Sequence, residues 1–209
     1  MLQLRHTEDT LLEVGIDEAG RGSFWGPLYA AAVVWPGELP FAAQIRDSKK
    51  LSEKRRNVLA ASIKAHTAWG IGSVSAAEIT EIGMTRANQL AFTRALDDLS
   101  AKGTVPERLL IDGCLSIYNA PWSMVPQIVE AEADNRYIAV AAASILAKVA
   151  HDDYILDFCK THVETATQYD LAKNKGYGTL KHRNAIKTHG ALPEHRPLFL
   201  RNVTATEKT

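Results

Sequence analysis

The chain has 209 residues, 46% of them hydrophobic, and lacks a Pro/Gly-rich linker long enough to separate a pair of cores, which suits one globular domain. Its longest apolar stretches, Tyr29 to Trp35 and Ala139 to Ala147, fall short of the roughly 20 residues a spanning helix needs, and Arg5, Glu8, Asp9 and Glu13 give the N-terminus no leader-like pattern, so a cytoplasmic protein is expected. Twenty-four Lys/Arg balance 24 Asp/Glu, so net charge carries no sign of a polyanionic partner.

Leu11 to Asp17 alternates apolar Leu12, Val14 and Ile16 and predicts a strand that ends in carboxylates, followed by a turn-rich segment from Glu18 to Ser23. Tyr29 to Trp35 suits a second buried strand, broken by Pro36-Gly37. Leu51 to His66 carries Leu51, Val58, Leu59 and Ile63 at helical spacing, with Ser52 as a cap. A third strand is predicted at Ile71 to Ser75 and a second helix at Thr85 to Lys102, on Ala87, Leu90, Ala91, Ala95, Leu96 and Leu99. Leu109 to Ile111 is a short apolar run that delivers Asp112 at its end, and Val125 to Val129 suits one more strand. Ile138 to Phe158 predicts a long, largely buried helix. From Gln168 to Arg196, glycines and Pro193 among lysines and histidines predict loops with one short helix near Lys181 to His189.

From Lys160 onward nine Lys/Arg stand against four Asp/Glu, which leaves the rest of the chain acidic. That asymmetry suits an acidic metal site beside a basic phosphate-binding flank, although modest imbalance between halves is common. Cys114 and Cys159 lack metal-finger spacing and suit reduced, packed thiols.

Positions 15 to 22 read GIDEAGRG. Alternation points Asp17 and Glu18 to opposite faces unless the chain turns, which Gly15 and Gly20 permit. Adjacent carboxylates repel, and a divalent cation offsets the repulsion, since Mg²⁺ favours a few carboxylate oxygens with water and phosphate. Asp112 ends another strand and Asp134 precedes the long helix, so four acids can converge on two metal ions about 4 Å apart. Taken singly, Asp17 and Glu18 also suit solvated surface acids, Asp112 a turn acid and Asp134 a helix cap. Gly20-Arg21-Gly22 lets backbone amides and a guanidinium approach a phosphate. In KNKGYGTLKHR at 173 to 183, Tyr177 can stack on a sugar or base while Lys175 and Lys181 meet phosphates, or the segment is a basic surface loop. Lys49, in Asp47-Ser48-Lys49-Lys50, suits either a backbone contact or a helix-starting loop.

Together and in this order, GIDEAGRG at 15, GPLYAAAV at 26, DSKKLS at 47, IDG at 111, AAASILAKV at 141, NKGYGT at 174 and HRPLF at 195 resemble the bacterial ribonuclease HII family over nearly the whole chain. The resemblance implies an α/β RNase H-like fold, a mixed β-sheet flanked by helices, with a core at about residues 10–165 and a small helical C-terminal region at about 166–205 that closes over substrate. It implies Asp17, Glu18, Asp112 and Asp134 as catalytic ligands of Mg²⁺ or Mn²⁺. Gly20, Arg21, Gly22 and Tyr177 match the residues that sense the 2′-hydroxyl at an RNA-to-DNA junction, the group that distinguishes RNA from DNA. Lys49, Lys175 and Lys181 are expected to neutralise phosphates.

The expected activity is two-metal-ion endonucleolytic cleavage 5′ of a ribonucleotide, in RNA–DNA hybrids and in duplex DNA with single ribonucleotides, leaving 3′-hydroxyl and 5′-phosphate and serving ribonucleotide removal from DNA. A monomer is expected. No extension before the core suggests the related ribonuclease HIII, and no hydrophobic-aromatic tail after Phe199 suggests docking to a sliding clamp. Three features depart from the family pattern: Ala133 and Asn135 around Asp134, the bulky Ser23-Phe24-Trp25, and His151 in place of Arg before Asp152. The rival readings are an inactive binder of RNA–DNA hybrids and a metal-dependent phosphatase of small esters, which leaves the basic tail unexplained.

Overall fold

Five short strands form one sheet in the computed structural model, which describes residues 2–204. The strands are β1 (Glu13–Ala19), β2 (Leu28–Val34), β3 (Ala68–Val74), β4 (Arg108–Asp112) and β5 (Gln127–Glu130), in the order β3-β2-β1-β4-β5. β1–β2 and β2–β3 are antiparallel, while β4 lies parallel to β1 and β5 parallel to β4. The sheet is therefore mixed, and its central strand β1 and the neighbouring β4 carry Asp17 and Asp112 just beyond the paired Ile16 and Ile111.

Alternation along β1 divides the core. Val14 and Ile16 face helix α3 (Met84–Ala101), where Ala87, Ala91, Phe92, Ala95, Leu96 and Leu99 form the helix stripe. Gly15, Asp17 and Ala19 face the other side, covered by α1 (Glu53–His66) and α4 (Ile138–Thr161). Ser52 caps α1 by accepting from the Arg55 amide at 3.3 Å, as predicted. Helix α2 (Ala76–Ile82), between β3 and α3, has a Ser75–Glu78 capping box that the period-based reading passes over.

Two expectations are corrected. β1 runs on through Ala19, so the chain turns after Glu18 rather than between the two acids. Gly15 is no turn residue: a Cβ there would lie 2.3 Å from the Ala139 carbonyl carbon and 2.4 Å from the Val140 nitrogen, because the first turn of α4 rests directly on β1. The tail is also more helical than its glycines suggest, with α5 (Val163–Gln168), α6 (Leu171–Asn174), α7 (Leu180–His189) and α8 (Pro197–Thr204). These pack on the far end of α4 around Trp25, which is 1% exposed among Ile155, Tyr169, Leu171 and Ile186. Phe24 stacks on Phe199 with centroids 5.7 Å apart, so the bulky segment after the Gly-Arg-Gly packs inward. The expectation about a clamp-docking tail falls partly on residues 205–209, outside the described residues. Among the described residues, no helix is long and apolar enough to cross a membrane.

His182 and His195 meet in this region, with Nε2 atoms 3.0 Å apart and both rings buried. One ring donates and the other accepts, so at least one must be neutral. Burial lowers both, and the His182 ring helps bring His195 to about 4.

Gly15→Ala is expected to cost about 1–3 kcal/mol or more in urea denaturation, because the added carbon meets backbone and cannot turn aside; unchanged stability would mean that α4 rides free of β1. An unfolded histidine titrates near 6.5, so between that value and about 4 the unfolded chain binds more protons at His195 than the folded one, and its contribution is lost as pH falls. Buried carboxylates with raised values act in the opposite sense, so the histidine is read by difference. His195→Gln should lose less stability than the parent from pH 6.5 to 4, whereas parallel pH profiles would contradict a neutral buried pair.

Candidate active site

Asp17 and Glu18 lie near the end of β1 on opposite faces of the sheet, yet both line one cleft of about 460 Å³. Gly20, Arg21, Gly22, Ser48, Lys49, Lys148 and Tyr177 complete its lining. Asp112 and Asp134 stand outside that lining on the β4 side, within electrostatic reach of Asp17. A larger groove near the N-terminus, bounded by Leu2, Leu4, Leu39 and Ile138, includes none of the predicted site residues.

Asp17 is 7% exposed, and its Oδ1 accepts from the Glu18 amide at 2.7 Å. Burial pushes its carboxyl well above the usual range, and repulsion from Glu18, Asp112 and Asp134 adds to this. Glu18 reaches toward α3, where Asn88 Nδ2 donates to it at 3.5 Å, and Arg21 Nη1 stands 3.8 Å away. Burial raises Glu18 in spite of that guanidinium. Asp112 accepts from the Ala133 amide at 2.7 Å, a bond that ties the end of β4 to the 3₁₀ turn carrying Asp134. Burial, then Asp112 and Asp47, raise Asp134 to about 6.

Lys49 faces all of these acids. Burial pulls its ammonium down, but Asp17, Asp47, Asp134 and Asp112 together outweigh that and raise it. Its loop is fixed by three contacts: Asp47 Oδ1 accepts from the Lys49 amide at 2.9 Å, the Ser48 amide donates to Ser144 Oγ of α4 at 3.2 Å, and Arg56 donates to the Ser48 carbonyl at 2.7 Å.

On the opposite wall, Gly20 takes φ +83° and lies against His151, whose Cδ2 would be 2.3 Å from any Cβ there. His151 Nδ1 is 3.0 Å from Asp152 Oδ1 and Nε2 is 3.3 Å from Ser23 Oγ. The order Ser–His–Asp invites comparison with a nucleophilic triad. Ser23 and His151 are both 0% exposed, so no substrate reaches that hydroxyl and the relay is structural. Burial lowers His151 in spite of Asp152, while the His151 and Lys148 hydrogen bonds outweigh burial at Asp152 and keep it ionised. Tyr177 stands beside this relay, bridged to Ser23 through the backbone, with the Lys148 ammonium 5.0 Å from its ring centre.

Lys148 and Ser48 are site residues the sequence reasoning did not select. Lys148 carried a signal, since Asp152 follows at i+4 on the same helix and binds it at 2.7 Å. The two tail lysines lie outside the cleft lining: Lys175 pairs with Glu53 at 3.5 Å, and exposed Lys181 pairs with Asp170 at 2.7 Å. Among the described residues, no three acidic, imidazole or thiol groups stand close enough to close a metal shell unaided.

A mixed sheet with helices on both faces and acids gathered at its central strand ends is the architecture of ribonuclease H-type enzymes. The structure is similar to ribonuclease HII from Archaeoglobus fulgidus, solved in complex with PCNA, with TM-score 0.71 and 25% identity over 93% of this chain and 97% of that one. The ribonuclease HII of Porphyromonas gingivalis is 43% identical over 210 residues, 100% of this chain and 99% of its own. That of Bacteroides thetaiotaomicron is 44% identical over 197 residues, 94% of this chain and 93% of its own. A family model described as Ribonuclease HII matches residues 14–203. The chain belongs to the ribonuclease HII family, and it is a ribonuclease H.

Asp17→Asn removes a buried charge and its repulsions while keeping the shape. In EDTA the variant should melt about 2–4 °C higher, the equivalent of ~1 kcal/mol, and in a separate assay with Mg²⁺ its ribonuclease activity should be abolished. A lower melting temperature would show that the carboxylate supports the fold.

Proposed function

We propose that this enzyme hydrolyses the phosphodiester on the 5′ side of a ribonucleotide, in RNA–DNA hybrids and in duplex DNA with single ribonucleotides, leaving 3′-hydroxyl and 5′-phosphate. One observation carries this reading: a cleft that joins a repelling carboxylate pair on one wall to a Gly-Arg-Gly turn and a tyrosine on the other.

The donor set fits a hard divalent cation. Asp17 is buried and has no basic side chain within ion-pair distance among the described residues, and its neighbours in charge are other carboxylates. A shell left open by the protein suits Mg²⁺ or Mn²⁺, which keep water and take substrate oxygens. Asp17, Glu18, Asp112 and Asp134 would hold the ions, which supply water activation and charge neutralisation at the phosphate in the two-metal manner.

The protein's own contribution is placement. Lys49 and Lys148 bring positive charge to the cleft for the backbone of the bound strand, and exposed Lys181, with Lys175, extends that charge outward. The amides of Arg21 and Gly22 have no acceptor among the described residues, and with the Arg21 guanidinium they meet the ribose. Tyr177 packs against the sugar at the junction, where the 2′-hydroxyl distinguishes the strand to be cut. A cytoplasmic monomer that removes ribonucleotides from DNA follows from this reading.

A labelled duplex with one ribonucleotide should be cut once, 5′ to that residue, with Mg²⁺ or Mn²⁺ and not with EDTA, while all-DNA duplex and a chromogenic phosphate ester stay intact. Binding without cutting would favour an inactive hybrid binder, and hydrolysis of the ester a small-molecule phosphatase. Tyr177→Ala should reduce discrimination at the junction by about 10-fold or more, the worth of one stacking contact; unchanged selectivity would remove Tyr177 from the reading.

A further inference from the structure

Arg196 takes no part in the chemistry above, yet it is 0% exposed and runs beneath the turn that lines the cleft. Its Nη1 donates to the carbonyls of Gly20 at 2.7 Å and Arg21 at 3.2 Å, and its Nε to the carbonyl of Gly26 at 2.8 Å. The Arg196 amide donates to the Phe24 carbonyl at 2.8 Å, which pins the C-terminal region to the same loop. Among the described residues no carboxylate pairs with this guanidinium, and Nη2 has no hydrogen-bond partner. Burial brings it down to about 10, so it remains a cation at neutral pH. An unpaired buried charge is costly to a fold and calls for a role.

The planarity of the peptide bond gives that role a direction. The carbonyl of one residue and the amide of the next point opposite ways across a trans peptide. Carbonyls of Gly20 and Arg21 drawn inward to Arg196 therefore turn the amides of Arg21 and Gly22 outward, toward the cleft that these residues line. A positive charge at the carbonyl end also polarises each peptide group and strengthens its N–H as a donor.

We infer that Arg196 is a positioning residue for ribose recognition: it holds the Arg21 and Gly22 amides toward the substrate and backs them with charge. The inference rests on the proposed function, in which those amides meet the ribose.

The test compares binding of a duplex carrying one ribonucleotide with binding of the same duplex in all-DNA form, by fluorescence anisotropy without cleavage-supporting metal. The parent protein is measured first, together with its cleavage; absence of both preference and cutting there would sink the proposed function before Arg196 is in question. Arg196→Lys keeps the charge and loses the fork, and Arg196→Ala loses both. Each should lower the preference by about 10- to 100-fold, the worth of a hydrogen bond to a charged group, while all-DNA binding, made of phosphate contacts, is unchanged. Millimolar guanidinium should restore the preference in Arg196→Ala, which a purely structural loss would not allow. Retained preference in either folded variant would overturn the inference, as would equal loss on both duplexes or failure of both variants to fold.

Discussion

Helix α4 touches β1 because position 15 has no side chain, and from that contact the same helix reaches every side of the cleft. Its first turn covers the central strand on the face that carries Asp17. One turn further on, Ser144 holds the Lys49 loop; Lys148 then enters the cleft, His151 supports Gly20, and Ile155 begins the core of the C-terminal region. A side chain at residue 15 would shift this whole row relative to the carboxylates, since packed interiors transmit such displacements rather than absorb them.

Against that rigid row the acids are held in a state the protein alone does not favour. Asp17, Glu18, Asp112 and Asp134 all have raised values, with burial the first cause in each; repulsion from other carboxylates adds to it at Asp17, Glu18 and Asp134, while backbone amides and Lys49 oppose it at Asp112. Lys49 answers some of the charge, and nothing in the described residues closes a shell around the rest. In the proposed function, that repulsion is what a divalent cation would relieve on binding.

The opposite wall obeys a different rule, in which side chains behind the surface take up the turn's carbonyls and, among the described residues, leave the Arg21 and Gly22 amides without an acceptor. His151 bridges Asp152 and Ser23, Asp152 gathers Lys148 and Arg56, and Arg196 takes the turn's carbonyls. His151 therefore fills a tight space against a glycine of positive φ, with Ser23 as its partner.

The strands and long helices were legible because each is a short apolar run or a clear 3.6-residue stripe, and the placement of Asp17, Glu18 and Asp112 toward strand ends could be read in the same way. The small helices α2, α5, α6 and α8 were not, since at 4 to 8 residues they are too short for periodicity to register, although Ser75 and Glu78 marked the start of α2. Local sequence determined which residues are apolar, which acids end strands and where helices are capped, because those preferences act within a few positions. Only the tertiary structure decided that Gly15 serves helix packing rather than a turn, that Lys148 shares the cleft with Asp17, and that Arg196 lies under Gly20. Those pairs stand far apart along the chain, and no period or propensity carries information about contacts made over such separations.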